Sequence, residues 1–320
     1  MSGVAAVEHR PRTVQRAIDG VVLLDKPMGI TSHTAVRAVR RLFAAGKAGH
    51  TGTLDPLATG LLPVCLGEAT KFSHFLLEAD KTYLASIRLG LTTTTGDLEG
   101  DAIERKPVDV SISQAESALK RFVGAIQQVP PMYSAIKHEG QRLYALARAG
   151  QVVTRAPREV FIRRLALAAL AGEELTVSVT CSKGTYVRVL AEDIGRELGC
   201  GGCLSALRRE AVGGFSLVQG ALDLGQLETL KQGDRDAVLL PVDALVDSLP
   251  SLDLNASEAQ RLMQGRQVER PGTGPAGLAR AYGPDRDFLG VVEVQSPGVL
   301  VPRRLRAQVG AVSINRASIA

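Results

Sequence analysis

No apolar stretch in this 320-residue chain reaches the roughly 18–20 residues that span a bilayer. Met1 to Arg16 is not expected to act as a secretory signal: it carries Arg10, Arg12 and Arg16, but no apolar segment follows them. A cytoplasmic protein with a short disordered N-terminal arm is the default expectation. Cysteine is scarce, with Cys65, Cys181, Cys200 and Cys203 only. Cys200 and Cys203 have the C-x-x-C spacing, but no second pair or suitably spaced histidines complete a zinc site. A helical pattern precedes them where a thioredoxin-like motif needs a strand. Reduced thiols and no metal are expected. No G-x-G-x-x-G follows a strand, and Gly46-Lys47 lacks the Ser/Thr of a phosphate-binding loop. No repeat of 20–50 residues is visible.

What is present is a chain long enough for two domains. With 45% hydrophobic and 22% charged residues it can bury a full core and is not compositionally disordered. The net charge of +5 is only mildly suggestive, but its distribution says more. Arg37, Arg40, Arg41 and Lys47 form one basic cluster. Arg142, Arg148, Arg155, Arg158, Arg163 and Arg164 form another, opposed only by Glu159. Either alone reads as a solvated helix face; two in one chain lean toward a polyanion.

The densest signal is Gly49-His50-Thr51-Gly52-Thr53-Leu54-Asp55-Pro56-Leu57-Ala58-Thr59-Gly60-Leu61-Leu62-Pro63. One carboxylate, Asp55, stands among turn residues with an apolar run behind it. Gly49, Gly52 and Gly60 permit positive φ or close approach by another molecule. Pro56 removes a donor and biases Asp55 away from helical geometry. Chemically, such an aspartate is either a plain turn former or an exposed acid held for a reaction.

The periodicities predict strands at Gly20–Asp25, Lys81–Leu89, Arg158–Leu167 and Leu175–Cys181. They predict helices from a cap at Thr31 or Ser32 to near Gly46, Gly67 to Leu77, Ser113 to Phe122 and Val187 to Leu198. Thr92 to Gly100 reads as a polar loop, and Gln127 to Ser134 as irregular. This mixture fits an α+β fold better than a doubly wound sheet. A boundary is expected between Asp243 and Leu252. Beyond it come a helix at Ala256–Met263, a turn-rich stretch at Pro271–Gly277 and strands at Phe288–Val294 and Val299–Val301. The expected organisation is an arm (1–18), a main domain (19–247), a small β-rich domain (248–306) and a disordered tail (307–320).

The Asp55 run, continued through Val64-Cys65-Leu66-Gly67-Glu68-Ala69-Thr70-Lys71, resembles the signature of the TruB-type pseudouridine synthases, the bacterial tRNA pseudouridine-55 synthases. Further blocks follow in family order across residues 20–230: Lys26-Pro27 with Thr31-Ser32; Asp80 to Tyr83 with Leu89-Gly90; Gln128 to Lys137 with Gly140 and Leu143-Tyr144; Cys181 to Arg188; and Leu207-Arg208-Arg209. The resemblance implies a mixed, mainly antiparallel sheet with flanking helices and, more loosely, a C-terminal PUA-like RNA-binding domain. It also implies isomerisation of a T-loop uridine of tRNA to pseudouridine, by a monomer without cofactor.

By the same resemblance Asp55 is the nucleophile, attacking either uracil C6 or ribose C1′. Arg188 is the cation that keeps it ionised, and Tyr83 stacks on the base and takes the C5 proton. Tyr186 lines the pocket, Leu207 packs under the base and His50 contacts the RNA loop. Lys26 either binds phosphate or braces the Asp55 loop. The base must be flipped out of its stack at a cost of a few kcal/mol, offset by phosphate contacts from the arginines. Where the family often has a small residue followed by histidine after Gly201, this chain has Gly202 and Cys203. Two rivals stay open. One is a guide-RNA-dependent synthase of the ribonucleoprotein type, against which the insert from Ser111 to Gln151 argues. The other is a non-catalytic RNA-binding or RNA-folding factor.

Overall fold

The computed structural model describes residues 15–134 and 136–307. The chain opens with β1 (Gly20–Lys26), α1 (Ser32–Leu42), β2 (Ala48–His50) and β3 (Thr59–Leu66). A 3-10 turn (Gly67–Lys71) and α2 (Ser73–Glu78) lead into β4 (Lys81–Leu89). A small hairpin of β5 (Leu91–Thr93) and β6 (Ala102–Arg105) precedes α3 (Ile112–Lys120) and β7 (Gly124–Gln128). A second hairpin, β8 (Lys137–His138) and β9 (Gln141–Arg142), leads through α4 (Leu143–Arg148) to β10 (Arg158–Ala171) and β11 (Glu174–Cys181). Then come α5 (Val187–Glu197), β12 (Gly202–Val212), β13 (Phe215–Ser216), α6 (Leu224–Thr229) and α7 (Gln232–Ala237). The C-terminal part holds β14 (Ser251–Asp253), α8 (Ala256–Met263), β15 (Val268–Glu269), β16 (Gly277–Tyr282), β17 (Phe288–Gln295) and β18 (Val299–Leu305).

The larger sheet runs β1-β3-β12-β4-β11-β10-β7, with β2 beside β3 and β13 beside β12. Its pairings are antiparallel except β3 with β12. The α+β expectation therefore holds. The parallel pairing sets Arg209 beside Gly60, where a Cβ would lie 2.3 Å from the Arg209 carbonyl oxygen. Gly60, at φ 101°, is thus required by the approach of β12, a neighbour within the chain rather than another molecule.

Helices α1, α3 and α5 cover one face and bury Val36, Val39, Leu119, Leu190 and Ile194 against Ile87, Leu89 and Val177. Each fully buried aliphatic side chain contributes about 1.5–3 kcal/mol before its entropy cost. Thr31 caps α1 by accepting from the Thr34 N–H at 3.1 Å, and Ser111 opens α3 through a capping box with Gln114. The opposite face carries Phe72, Leu76, Val242 and Leu245.

Tyr282, Phe288 and Val291 of the smaller sheet, ordered β14-β16-β17-β18-β15, pack into that second core. The smaller sheet also has an apolar core of its own around Leu262, Ala281, Val292 and Leu300.

Three expectations change. The helix expected over Gly67–Leu77 is a 3-10 turn and a short helix, and the run before it is the buried strand β3. A continuous apolar run does not alternate, so period alone could not mark it as a strand. The arm expected over 1–18 is packed at its inner end. Ile18 is buried, Arg16 pairs with Asp236, and the Arg16 N–H donates to the Ala44 carbonyl at 2.8 Å. The remainder of the arm, and the tail from 308 on, lie outside the described residues. In the C-terminal part, the turn-rich stretch is followed by a further strand, β16.

Candidate active site

Asp55 sits on the loop between β2 and β3, in a turn closed by the Ala58 N–H donating to the Asp55 carbonyl at 3.1 Å. The turn is fastened on two sides. Ser32 of α1 accepts from the Leu54 N–H at 2.7 Å and donates to the Leu54 carbonyl at 3.0 Å. The Gly29 N–H donates to the Pro56 carbonyl at 2.8 Å. Leu54 and Leu57 anchor the loop in the main core. A carboxylate so mounted loses little entropy when it acts.

Arg188, at the start of α5, reaches Asp55 with Nε 3.0 Å from Oδ2. Its side chain is 6% exposed, against 39% for that of Asp55, so the cation is buried and the acid opens outward. A helix N-terminus disfavours a cation, and burial disfavours it further. Both costs are offset locally. Nη1 lies 3.6 Å from Asp97 Oδ2 and donates to the Thr95 carbonyl at 3.2 Å, while Nη2 donates to the Tyr133 carbonyl at 2.9 Å. Asp97 is itself buried, and the Glu99 N–H donates to its Oδ1 at 3.1 Å. The turn before α5 is held by Gln128, whose amide donates to the Tyr186 carbonyl at 3.3 Å and accepts from the Tyr186 N–H at 3.0 Å.

Beneath the loop lies a second buried arginine. Arg209 is 1% exposed and donates from Nε to the Leu61 carbonyl at 2.7 Å and from Nη2 to the Gly52 carbonyl at 3.1 Å. It stands directly across from Tyr83 in the β12–β4 register. Burial raises the Tyr83 phenol above its ordinary range, and the Arg209 cation pulls it partly back. A stacking role is indifferent to that balance, whereas a proton-accepting role depends on it.

Lys26 has no exposed surface and donates to the Pro27 and Ile30 carbonyls, each at 2.8 Å. Burial lowers its pKa to about 8, against the field of Asp55, which raises it. The Lys26 ammonium is turned toward backbone carbonyls, and no part of the side chain faces solvent. His50 Nδ1 accepts from the Gly52 N–H at 3.2 Å, so the other ring nitrogen carries the proton. Burial, then Arg209 and His33, hold its pKa below the usual value, which suits that acceptor role.

Tyr186 is half-buried, and its phenol is raised by burial against the Ser134 hydroxyl and the Arg158 and Arg188 cations. Leu207 is buried among the core residues and presents little surface. The four cysteines are free and buried.

Asp55 and Arg188 are thus in contact, and the titrations of Tyr83, Tyr186 and Lys26 all feel Asp55. Sequence reasoning missed Asp97, Arg209, Gln128 and Ser32 as parts of the site. Arg209, Gln128 and Ser32 lay inside matched blocks, but Asp97 was hidden in a loop that looked merely polar.

Comparison with known proteins gives this arrangement its family. Residues 40–187 match the family described as TruB family pseudouridylate synthase (N terminal domain). Residues 188–247 match the tRNA pseudouridylate synthase B C-terminal domain, and residues 250–305 match Pseudouridine synthase II TruB, C-terminal. A protein named tRNA pseudouridine synthase B from Methylobacillus flagellatus is 53% identical over 299 residues, spanning 93% of this chain and 99% of its own length. This chain belongs to the TruB family of pseudouridine synthases.

Like-named proteins from Burkholderia mallei and Aromatoleum aromaticum are 53% and 54% identical, over 94% and 92% of this chain and 98% and 94% of theirs. Among solved structures, a chain of a Cbf5–Nop10–Gar1 complex superposes with a TM-score of 0.68 at 26% identity, covering 89% of this chain and 84% of its own. A chain of an archaeal box H/ACA sRNP Nop10–Cbf5 complex, at 23% identity and TM-score 0.67, covering 89% of this chain and 85% of its own, shares the fold.

Proposed function

We propose that this protein isomerises a uridine in the T-loop of tRNA (position 55 of the tRNA) to pseudouridine, with Asp55 as nucleophile. The observation that carries this reading is the Asp55–Arg188 pair, a partly exposed carboxylate held by a buried guanidinium. A binding protein gains nothing from an acid beside its RNA, since a carboxylate repels phosphate. A covalent reaction gains an anionic oxygen of fixed direction. The N1–C1′ bond breaks while Asp55 holds one fragment, at uracil C6 or at ribose C1′. The uracil turns, a C5–C1′ bond forms, the bond to Asp55 breaks to restore the carboxylate, and the proton lost from C5 is balanced by one taken up at N1. No atom is gained, lost or oxidised, so no cofactor is called for.

In this reading Arg188 supports the anion, and Tyr83 supplies an aromatic face to the flipped base and takes the C5 proton. Tyr186 and Leu207 bound the base, His50 touches the RNA loop through its protonated ring nitrogen, and Lys26 braces the loop from below. Residues 19–247 form the catalytic domain and 248–306 a PUA-like RNA-binding domain. We place the protein in the cytoplasm, acting as a monomer on the T-arm. The 53% identity to proteins named for tRNA favours this over the ribonucleoprotein alternative, which the superposition on the Cbf5-containing complex keeps in view.

The test is purified protein with a bare T-arm stem-loop and no guide RNA. Pseudouridine is expected at the loop uridine. Asp55→Asn should abolish it while RNA binding persists. Substantial product from that variant would remove Asp55 from its role, and no product from wild-type protein without a guide would favour the ribonucleoprotein reading.

A further inference from the structure

Helix α1 carries a row of basic side chains that the ion pairs of the described residues leave unused. Its sequence, Ser-His-Thr-Ala-Val-Arg-Ala-Val-Arg-Arg-Leu, contains no acid. Ala35, Val36 and Val39 are buried against the sheet, whereas His33, Arg37, Arg40 and Arg41 are exposed. At spacings of four, seven and eight residues these four share the outer face, and the row runs about 12 Å along the axis.

Among the described residues, no ion pair holds Arg37, Arg40 or Arg41. Many other arginines of the fold do pair, among them Arg16, Arg88, Arg163, Arg208, Arg280 and Arg306. A helix C-terminus favours cations, which accounts for Arg40 and Arg41 but not for Arg37. Like charges three and four residues apart destabilise a helix, so the row costs stability in the free protein.

The row also lines an open groove of about 790 Å³, together with Gln15, Ala44 and Ala45. Its His33 end adjoins the Asp55 loop. Ser32, next to His33, is bonded to the Asp55 loop, and His33 is close enough to His50 to depress its titration. The second arginine cluster lies around α4 and β10, near the opposite end of the sheet order.

We infer that this groove is a binding surface for the sugar–phosphate backbone of the RNA substrate flanking the nucleotide that enters the site, with Arg37, Arg40 and Arg41 as its phosphate-contacting side chains. The inference rests on the tRNA reading above. The rival occupant is the chain's own segment 1–14, but that segment carries Arg10 and Arg12 against Glu8 alone and matches the groove in sign instead of complementing it. A polyanion complements it, and releasing counterions from the RNA would drive the contact.

The experiment uses the full chain with Arg37→Gln, Arg40→Gln and Arg41→Gln combined, since glutamine keeps helix propensity at exposed positions. Equilibrium binding of an unmodified tRNA transcript is measured at several salt concentrations. The expected result is a Kd raised roughly tenfold or more and a salt slope lowered by about two to three, close to one for each lost phosphate contact. An unchanged Kd and slope in a folded variant would overturn the assignment, as would recovery of the loss on deleting residues 1–14, which would mark the groove as that segment's seat. Wild-type protein on the same transcript separates this from the functional reading. If it forms pseudouridine while the triple variant binds normally, only the groove is wrong; if it forms none, the reading itself has failed.

Discussion

The two buried arginines of the site occupy its rim and its floor, and they solve the same physical problem differently. At the rim, Arg188 meets two carboxylates, Asp55 and Asp97. On the floor, Arg209 meets no carboxylate among the described residues and is satisfied by backbone carbonyls and the neighbouring Tyr83. A guanidinium desolvated beside anions couples to whatever charge its partner carries. One desolvated among carbonyls fixes where a backbone goes. On the proposed function, the rim arginine is therefore tied to the reaction and the floor arginine to the shape of the loop that presents it.

Removing the rim arginine should have the larger effect on rate. Arg188→Ala leaves Asp97 buried without its cation and Asp55 without its guide. We expect single-turnover pseudouridine formation at saturating RNA to fall by at least about a hundredfold, in the range seen on removing one preorganised electrostatic group. Arg188→Lys should recover only part, because an ammonium cannot face Asp55, Asp97 and two carbonyls at once. An Arg188→Ala variant with weakened RNA binding and a normal single-turnover rate would move this residue to phosphate contact and erase the contrast with Arg209.

The floor arginine should register first in stability. Arg209→Met keeps bulk but strands the Leu61 and Gly52 carbonyls, at about 1–3 kcal/mol for each buried acceptor left unpaired. Urea unfolding should show a loss of roughly 2–5 kcal/mol, and the rate should drop as the loop loosens. The distinguishing readout is Tyr83. If Arg209 favours its ionisation, the variant should shift any alkaline limb of the rate profile upward, an effect absent from Tyr83→Phe. Full stability in Arg209→Met would mean water replaces the guanidinium and the floor is not structural.

This contrast also marks what could be read from the chain alone. Asp55 was visible because turn chemistry, glycines and a proline crowd into one short segment, and Tyr83 and Arg188 because each lies in a recognisable local block. The strands β4, β10 and β11 were legible from local pattern, α1 from its period and N-cap, and α5 from its period. Asp97 was not legible, because its meaning comes from packing. It sits in a loop beside β12, bridged to Leu204, and meets an arginine 91 positions further along the chain. Nor could the sequence tell that Arg209 is buried, since no pattern separates an arginine bonded to carbonyls from one in solvent.

Two buried lysines give a smaller, pH-dependent test. Burial lowers both Lys26 and Lys81 to about 8. Above pH 8 the unfolded chain still holds protons that the folded chain has released, so stability should rise with pH. From about pH 9 the buried thiols oppose this: Cys65 is pushed up to about 12, and Cys181 and Cys203 to about 11, so they ionise first in the unfolded state. Stability should climb between pH 8 and 9 and flatten or fall beyond. Lys26→Met should lose about half of the climb, read by urea unfolding at pH 7.5, 8.5 and 9.5. An equal climb in that variant would show that Lys26 keeps its proton in the fold and braces the loop as a full cation.

The smallest expected effect lies farthest from Asp55. Truncating near Ser248 would seem to isolate the C-terminal module, but Tyr282, Phe288 and Val291 belong to the core beneath β1 and β3, and the Tyr282 hydroxyl donates to Asp243 at 2.8 Å. Cutting there would expose apolar surface on both halves and confuse unfolding with lost binding. Exposed charges make a cleaner probe. Arg266 and Arg304 are exposed and form no ion pair among the described residues. If the module grips the RNA stem away from the flipped base, Arg266→Gln with Arg304→Gln should raise the tRNA dissociation constant about three- to tenfold and lower the salt slope by about one to two. The loss should appear in Kd rather than in the rate at saturating RNA. An unchanged Kd and salt slope would show that these arginines do not meet RNA, leaving the second core as the demonstrated reason for the module's position: it covers the face of the sheet opposite α1, α3 and α5.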